Sequence, residues 1–327
     1  MLKVKKLQLF NVVLFFCLSF CYNVKSQNLK NDNNPGARWG HVLIYYPTQN
    51  QLLLFGGVRE RGGQYLNDTW IWKNNTWKKM AVNSPSPRGF CAFTFHKERN
   101  TIILHGGRGN NRVTYSDLWE WNGENWNQIE NNSFYKADHH QIAYINSQNS
   151  LLAFGGWNGE GVMGQTWIWN NKWEKLKIKS PPKRASFSMV TDKKTNSIML
   201  YGGLWINGQY ADIWNWADNK WESMSGPYDN SSLDHHAMIY DSKLEQVIGF
   251  GGKNYRYQFQ NKTFVIEKGK IVFIDSESPS ARHSFGFTYN DKENFGYLYG
   301  GKAYLNEEQI ALNDFWKWDG KKWSKIE

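Results

Sequence analysis

The chain contains an internal repeat that restricts its possible folds more than any other feature of the sequence. Each copy has a hydrophobic run that ends in two adjacent glycines, such as Leu52 to Phe55 followed by Gly56 and Gly57. The second glycine of each pair lies at position 57, 107, 156, 203, 252 or 301, so the spacings are 50, 49, 47, 49 and 49 residues. Six copies at nearly constant spacing predict six similar units that bury their hydrophobic faces against one another.

Each repeat has the pattern of four short β-strands. In the first repeat we predict strand A at 41–46, strand B at 51–56, a longer loop at 58–67, strand C at 69–73, a tight Asn74-Asn75 turn and strand D at 76–80. No stretch shows sustained helical periodicity. Six repeats of four antiparallel strands predict an all-β fold, a six-bladed β-propeller.

Tryptophan recurs in a fixed position in five of the six copies. The pattern Trp-X-Trp plus a third tryptophan gives residues 70, 72 and 77 in the first copy, and it returns at 119–126, 167–173, 214–221 and 316–323. Residues two apart share one face of a strand, and the third tryptophan is placed to join them across the hairpin. We interpret these indoles as filling between neighbouring blades, although exposed aromatic residues could also stack on sugars or enter a membrane.

Hydrophobic residues before a Gly-Gly pair, followed by two spaced aromatic residues, resemble the kelch repeat, whose fold is the β-propeller. The resemblance covers residues 38–327, with blades at about 38–84, 85–134, 135–181, 182–229, 230–279 and 280–327 and a lead-in at 27–37. Blade five departs from it, with Phe264 and Ile266 in place of the tryptophans. The resemblance implies that strand A is innermost. It leaves open how the ring closes, and packing of blade six against blade one is sufficient.

Residues 1–26 have the pattern of a secretory signal peptide, with Lys3, Lys5 and Lys6 before an apolar core from Leu7 to Cys21. A lipoprotein signal ending at Cys21 is the alternative. No later segment could span a membrane. We therefore expect a secreted or otherwise extracytoplasmic protein.

Charge and cysteine content limit the functional classes. Loss of residues 1–26 would reduce the formal net charge from +10 to +6, because that segment has four lysines and no acid. The basic residues are scattered, which does not favour nucleic-acid binding. Cys91 would remain as a single cysteine, so we expect no internal disulfide. No cofactor is expected, and the protein is expected to be a monomer.

Strand order places the B-to-C and D-to-A connections on one face of the propeller, and binding residues concentrate on such connections. Trp157, Trp205, Arg256 and Tyr257 lie in B-to-C connections and are candidates for stacking on a sugar or holding the side chains of a partner. The alternative is that these residues are solvated and pack on one another.

An arginine occurs eighteen residues before the first glycine of four pairs. These four, which we term the register arginines, are Arg38, Arg88, Arg184 and Arg282. If strand A is innermost, they ring the mouth of the central channel, where they would favour an anionic ligand. The alternative is that each arginine only ties one blade to the next.

Blades three and five lack this arginine and carry Asp-His-His instead, beginning at Asp138 and Asp234. Asp138 with His139, or Asp234 with His235, could act as general acid and base. A metal is disfavoured because the two groups lack compact ligand spacing. Packing is the expected role of His41, His140 and His236, which recur at one position of strand A.

Three functions remain possible. We favour an exported binding module that presents loops and channel mouth to an extracytoplasmic protein or glycan. The second possibility is a small-sugar enzyme, because some secreted six-bladed kelch proteins are sialic-acid mutarotases. The third is a purely structural or protein-interaction ring. Kelch resemblance predicts the fold better than the function.

Overall fold

A computed structural model describes residues 33–59, 63–133, 135–225, 231–305 and 307–327. Within these ranges the chain forms β-strands and two short 3-10 turns, Pro47–Gln49 and Asn110–Arg112. The described ranges contain no helix with the length and apolar character needed to cross a bilayer. The signal peptide expected at residues 1–26 lies outside them.

The strands form six blades, each an antiparallel sheet in the order A, B, C, D. Blade one consists of Val42–Tyr46, Gln51–Phe55, Thr69–Lys73 and Thr76–Met80. Blade two consists of Ala92–His96, Thr101–His105, Leu118–Trp121 and Trp126–Glu130. Blade three consists of Gln141–Ile145, Ser150–Phe154, Thr166–Trp169 and Trp173–Lys175.

The second half of the ring repeats this pattern. Blade four consists of Ser188–Asp192, Ser197–Tyr201, Ile213–Ala217 and Lys220–Ser223. Blade five consists of Ala237–Asp241, Gln246–Phe250, Thr263–Glu267 and Lys270–Ile274. Blade six consists of Gly286–Asn290, Phe295–Leu305, Glu308–Trp318 and Trp323–Ile326. The predicted six-bladed propeller is confirmed.

The ring closes by packing of blade six against blade one. Strand A of each blade contacts strand A of the next, including the pair formed by blades six and one. Across that last junction the Gly301 N–H donates to the Arg38 carbonyl oxygen at 2.9 Å and the Arg38 N–H donates to Leu312 at 3.0 Å. The Tyr45 N–H also donates to the Thr288 hydroxyl at 2.9 Å. Each blade is therefore built from consecutive strands, and no strand is exchanged between the two ends.

In blades one to five the Gly-Gly pair follows the last residue of strand B and meets the following blade, whereas in blade six the pair lies within the longer strand B. Gly56 has a φ of +64°, and a Cβ added there would lie 2.5 Å from the Arg88 carbonyl oxygen of blade two. Gly57 has a φ of +94° and donates its N–H to that same oxygen at 2.9 Å. Glycine is required at this junction for two reasons: the backbone is left-handed, and two backbone segments of the chain approach closely.

The tryptophans pack between blades, as predicted. Trp121 and Trp126 of blade two join the buried core of blade one, beside Val42, Leu53 and Phe55. The equivalent residues of blades three, four and six pack on the preceding blade in the same way. In blade five, Phe264 takes this role and covers Gly249, its partner on strand B. The indoles thus fill the widening gap between adjacent sheets.

Short two-residue strands, which bring the connections of the loop face together, supplement the blades. They are Val58–Arg59, Gln64–Tyr65, Arg88–Gly89, Arg108–Gly109, Leu204–Trp205, Gly208–Gln209, Leu233–Asp234, Lys253–Asn254 and Arg282–His283. In blade six the B-to-C connection is a continuation of the two strands as a hairpin, where the sequence predicted a loop. We call the side that carries the B-to-C and D-to-A connections the loop face.

Candidate functional site

The four register arginines lie inside their blades, with side chains that are 0% exposed in each case. In blade four, Arg184 Nη1 donates to Asp212 Oδ1 at 2.5 Å and Nη2 donates to Asp212 Oδ2 at 2.7 Å. Nη1 also donates to the Gly202 carbonyl oxygen at 2.9 Å. Equivalent two-pronged pairs join Arg38 to Asp68, Arg88 to Asp117 and Arg282 to Asp314.

These contacts correct the expectation that the register arginines form an anion-binding funnel. A guanidinium group that is buried and already bonded to a carboxylate and a carbonyl oxygen has no accessible donor left for a ligand. The geometry favours the alternative role, in which Arg38, Arg88, Arg184 and Arg282 hold the end of strand B against the start of strand C. The positions lie close to the mouth, but the side chains point into the blades.

Each of the four aspartates also accepts a hydrogen bond from the first tryptophan of its own blade. The indole N–H donates to the aspartate at 2.7 Å in the pair Trp70 and Asp68, and at 2.6 Å in the pair Trp214 and Asp212. Burial alone would raise the pKa of Asp68, but hydrogen bonding and the charge of Arg38 outweigh it and hold that pKa below its usual value. The same balance applies to Asp314.

The sequence contained a signal for these pairs that the pattern analysis missed. An aspartate stands two residues before the first tryptophan in the four blades that have the arginine, at 68, 117, 212 and 314. Blades three and five lack both partners, with Ala137 and Gln165 in one and Leu233 and Lys262 in the other. In blade three the Tyr135 hydroxyl donates to the Gly155 carbonyl oxygen at 2.9 Å, the bond that arginine makes elsewhere.

A closed ring of backbone hydrogen bonds surrounds the axis at the loop face. Each blade supplies one residue, and we call this set the axial ring: Gly40, Phe90, His139, Ser186, His235 and Ser284. The N–H of each residue donates to the carbonyl oxygen of the residue in the preceding blade, at distances from 2.7 to 3.1 Å. All six residues have φ between 52° and 64°. The five that are not glycine are therefore held in a strained conformation by the closure of the ring.

The two predicted Asp-His pairs come together at this ring. His139 Nδ1 lies 2.5 Å from Asp138 Oδ1, and His235 Nδ1 forms a short hydrogen bond with Asp234 Oδ1. The rings of His139 and His235 are 5.4 Å apart. His283 lies 5.4 Å from His235 on the other side. Closure of the propeller thus places three imidazoles at the channel mouth although they come from blades three, five and six.

Both aspartates of these pairs are 0% exposed. Asp138 Oδ2 accepts a hydrogen bond from Thr114 at 3.1 Å and lies 3.9 Å from Arg108 Nε. Asp234 is bonded to Gln209 and lies 3.3 Å from Lys253 Nζ. Burial would raise the pKa of Asp234, but His235, Lys253 and Gln209 hold it below its usual value. Asp234 is therefore ionised at neutral pH.

Two of the imidazoles at the mouth, His235 and His283, have lowered pKa values. Burial is the main cause that lowers the pKa of His235, against the opposing effect of Asp234. Burial and the neighbouring His235 lower the pKa of His283 well below its ordinary value. The histidines of strand A also have lowered pKa values, to about 3 for His41 and His236, because they are fully buried. In the described part of the chain, no group of three or more His, Cys, Asp or Glu side chains could hold a metal ion.

The loop candidates differ in accessibility. Trp157 is half-buried and forms a backbone bridge to Asp138, with N–H to oxygen distances of 2.8 and 2.9 Å. Trp205 is half-buried and its ring lies 6.2 Å from that of Tyr210. Arg256 is exposed, and Tyr257 is 65% exposed. The two tryptophans therefore stabilise the base of the connections, whereas Arg256 and Tyr257 remain available to a partner.

Further exposed hydrophobic side chains surround the mouth. They belong to the B-to-C connections of blades two, four, five and six: Val113, Ile206, Tyr255, Tyr257, Tyr304 and Leu305. Their exposed fractions range from 45% to 70%. Large apolar side chains that gather on one face usually indicate a surface for interaction.

Basic side chains accompany them. Arg59, Arg112 and Arg256 are exposed, while Arg108, Lys253 and Lys302 are half-buried nearer the axis. Lys302 Nζ lies over the Trp39 ring at 4.5 Å. Burial together with the charge of Lys253 lowers the pKa of Lys302. The mouth of the channel thus has positive charge beside aromatic surface.

Comparisons with known proteins agree with this architecture. The family model described as the KLHDC2/KLHL20/DRC7 Kelch-repeats domain matches residues 10–203, which is more than half of the chain. Among the curated relatives, Mei4-dependent protein 6 of Schizosaccharomyces pombe is 23% identical over 201 residues. That match covers 51% of this chain and 28% of the relative, so the chain matches only a minor part of the relative's length.

Proposed function

The chain belongs to the kelch-repeat family, and on that premise we propose that it is a protein-binding module whose partner docks on the loop face. The observation that carries the proposal is the set of exposed aromatic and aliphatic side chains on the B-to-C connections of blade two and of the consecutive blades four, five and six. Such residues are the usual anchors of protein interfaces, where a few buried side chains supply most of the binding energy.

The chemistry of the face favours an acidic partner segment. Arg59, Arg112 and Arg256 are exposed around the hydrophobic residues, and Lys253 and Lys302 add positive charge at the mouth. The acids nearest the axis, Asp138 and Asp234, are buried. Exposed acids also lie on the loop face, at Glu160 and Glu307. A carboxylate on the partner would therefore meet cations at the connections of blades one, two and five, and complementary charge increases both specificity and the rate of association.

The remaining possibilities from the sequence have less support. The glycan hypothesis relied on the register arginines and on Trp157, Trp205, Arg256 and Tyr257, and of these side chains only Arg256 and Tyr257 are exposed. The sugar-enzyme hypothesis relied on the same arginines to hold a carboxylate. Export of the protein remains part of the proposal and rests on the signal-like pattern of residues 1–26 alone.

The test is a selection of peptides from a displayed random library on the immobilised full-length chain. We expect enriched peptides that combine acidic residues with a large hydrophobic residue, and whose binding weakens as salt rises. The variant Tyr257→Ala, Tyr304→Ala should weaken their binding at least about tenfold, since it removes two exposed anchors. Arg256→Ala should reduce binding of the acidic peptides selectively.

The matched control is Val272→Ala, Phe273→Ala. These two side chains are 42% and 51% exposed on the outermost strand of blade five, away from the loop face. The control removes similar hydrophobic surface and should leave peptide binding unchanged. Binding that depends on Phe273 and not on Tyr257 and Tyr304 would place the interface on the outer edge and contradict the proposal. Selection of glycans but no peptides in a parallel array would also contradict it.

A further inference from the structure

Three side chains of the axial ring region have the relative positions of a serine, histidine and aspartate triad. His235 Nδ1 is hydrogen-bonded to the buried Asp234 carboxylate. His235 Nε2 lies 3.0 Å from Ser186 Oγ of the preceding blade. With the Nδ1 proton donated to Asp234, the Nε2 lone pair faces the Ser186 hydroxyl. Such a constellation is recognised by geometry and roles, whatever the fold that carries it.

The other ring positions are incomplete versions of the same arrangement. The pair Asp138 and His139 has Phe90 where the hydroxyl would stand, and the two rings stack at 4.0 Å. Ser284 lies 2.9 Å from His283 Nδ1, and the described residues show no hydrogen bond from His283 to a carboxylate. Among the described ring positions, only Ser186 therefore has both a histidine and its aspartate.

The backbone holds Ser186 rigidly. Its φ is 57°, its N–H donates to the His139 carbonyl oxygen at 2.9 Å, and its own carbonyl oxygen accepts from the His235 N–H at 2.8 Å. Strained, fully bonded backbone of this kind fixes the Cα–Cβ direction of Ser186, and the hydrogen bond with His235 Nε2 orients its hydroxyl. The serine and its base are thus positioned before any ligand arrives.

A cavity gives access to the hydroxyl. A space of about 170 Å³ at the axis is lined by Ser186 and His235 together with apolar side chains such as Phe187 and Met189. Its size suits a small group, and its lining combines apolar side chains with histidines, serines and Gln141. Ser186 itself is 8% exposed, so only a group that enters the cavity can reach it.

We propose that Ser186 is a nucleophile, activated by His235 and positioned through Asp234, that accepts a short acyl group from an ester. Ser186 Oγ attacks the carbonyl carbon while its proton moves to His235 Nε2. The ester C–O bond then breaks, and the leaving alcohol takes that proton. Water then attacks the acyl-serine while His235 Nε2 takes one of its protons. The acyl C–O bond to Ser186 breaks, His235 returns that proton to Ser186 Oγ and the acid leaves, so one ester and one water give one acid and one alcohol.

Turnover is expected to be slow. The N–H groups of Ser186 and His235 are already bonded within the axial ring, so neither can stabilise a developing oxyanion. Loss of one such donor in an esterase costs on the order of 10²–10³ in rate. The informative measurement is therefore the formation of a covalent adduct.

The test is labelling of the folded full-length chain with a small alkyl fluorophosphonate, which forms a phosphorus–oxygen bond to an activated serine and releases fluoride. We expect one adduct per chain, located on Ser186 by peptide mass spectrometry, and none after unfolding in urea. His235→Gln should slow labelling at least about 100-fold, the usual contribution of a general base. Asp234→Asn should also slow it, since the histidine loses its orientation.

Ser284→Ala and His139→Gln are the matched controls, because they change the same ring and remove none of the side-chain hydrogen bonds that join Ser186, His235 and Asp234. Both should label at the rate of the unmodified protein. Adducts spread over several serines, or equal rates for His235→Gln and His139→Gln, would overturn the proposal. If Ser186→Ala fails to fold, the site of the adduct in the unmodified chain and the His235→Gln rate still decide it. Peptide binding to the loop face does not require Ser186, so the two proposals can fail separately.

Discussion

The buried pair Arg184 and Asp212 allows the role of the register arginines to be measured. We would replace Arg184 by Ala and Asp212 by Gln, singly and together. The double variant reproduces blade three, which has Ala137 and Gln165 at these positions. The protein thus already contains one blade that folds without the pair.

The expected cost of each single change follows from burial. Arg184→Ala leaves a carboxylate that is 2% exposed and that, among the described side chains, retains the Trp214 indole as its one donor, at 2.6 Å. Asp212→Gln leaves a guanidinium group that is 0% exposed. Removing one partner of a buried ion pair costs about 3–5 kcal/mol of unfolding free energy.

The double variant leaves no uncompensated charge. It still loses the hydrogen bonds of Arg184 to Gly202 at 2.9 Å and Pro182 at 3.0 Å, and its packing over the Tyr210 ring at 4.1 Å. An orphaned carbonyl oxygen costs about 1–3 kcal/mol. We therefore expect the double variant to lose about 2–4 kcal/mol, well below the sum of the single losses.

Urea unfolding followed by the summed fluorescence of the eighteen tryptophans measures these losses for the whole propeller. The control is Arg99→Ala, which breaks a partly exposed pair with Glu120 and should cost less than about 1 kcal/mol. A double variant whose loss equals the sum of the two single losses would refute the reasoning. An Arg184→Ala variant as stable as the parent would return that arginine to the candidates for ligand binding.

The indole N–H groups of equivalent tryptophans differ in their partners. The Trp126 indole donates to Thr69 of blade one at 3.0 Å, whereas the Trp173 indole N–H has no partner within the described residues. Trp126→Phe should therefore cost about 1 kcal/mol more unfolding free energy than Trp173→Phe, measured by urea unfolding, and equal losses would contradict this. Burial lowers the pKa of His41 and of His236 to about 3 in the folded protein, below the unfolded value of about 6.5. The contribution of these neutral imidazoles to the unfolding free energy is therefore complete above pH 6.5 and is lost as pH falls toward 3, because the unfolded chain takes up the protons first. The urea midpoint should therefore fall between pH 7 and pH 4.5, and a midpoint that does not change would show that these imidazoles are not held neutral.

Most of the fold could be predicted because the repeat states the same local rules six times. Alternating hydrophobic residues, the Asn74-Asn75 turn and the glycines at the end of strand B each specify local backbone. Blade five was assigned correctly despite Phe264, since it keeps the alternation of a sheet. The extended hairpin of blade six was missed because nothing local distinguishes a solvated loop from a strand pair that continues beyond the blade.

The candidate site was predicted in position but not in orientation. The sequence placed Asp138 and Asp234 at the channel mouth, and the structure has them there. It also placed Arg184 and its equivalents there, but their side chains turn inward because an aspartate of the same blade can neutralise them where water is absent. Direction depends on a partner about thirty residues away, which a pattern within one strand does not contain.

The sequence by itself determined the number of blades, the order of strands and the residues available to each junction, because these depend on short-range periodicity repeated along the chain. Only the tertiary structure decided which side chains meet. Ser186 and His235 are 49 residues apart, one repeat, and share a hydrogen bond because closure of the propeller brings equivalent positions of successive blades to one axis. The same closure holds their backbones at positive φ and buries Asp234 behind them.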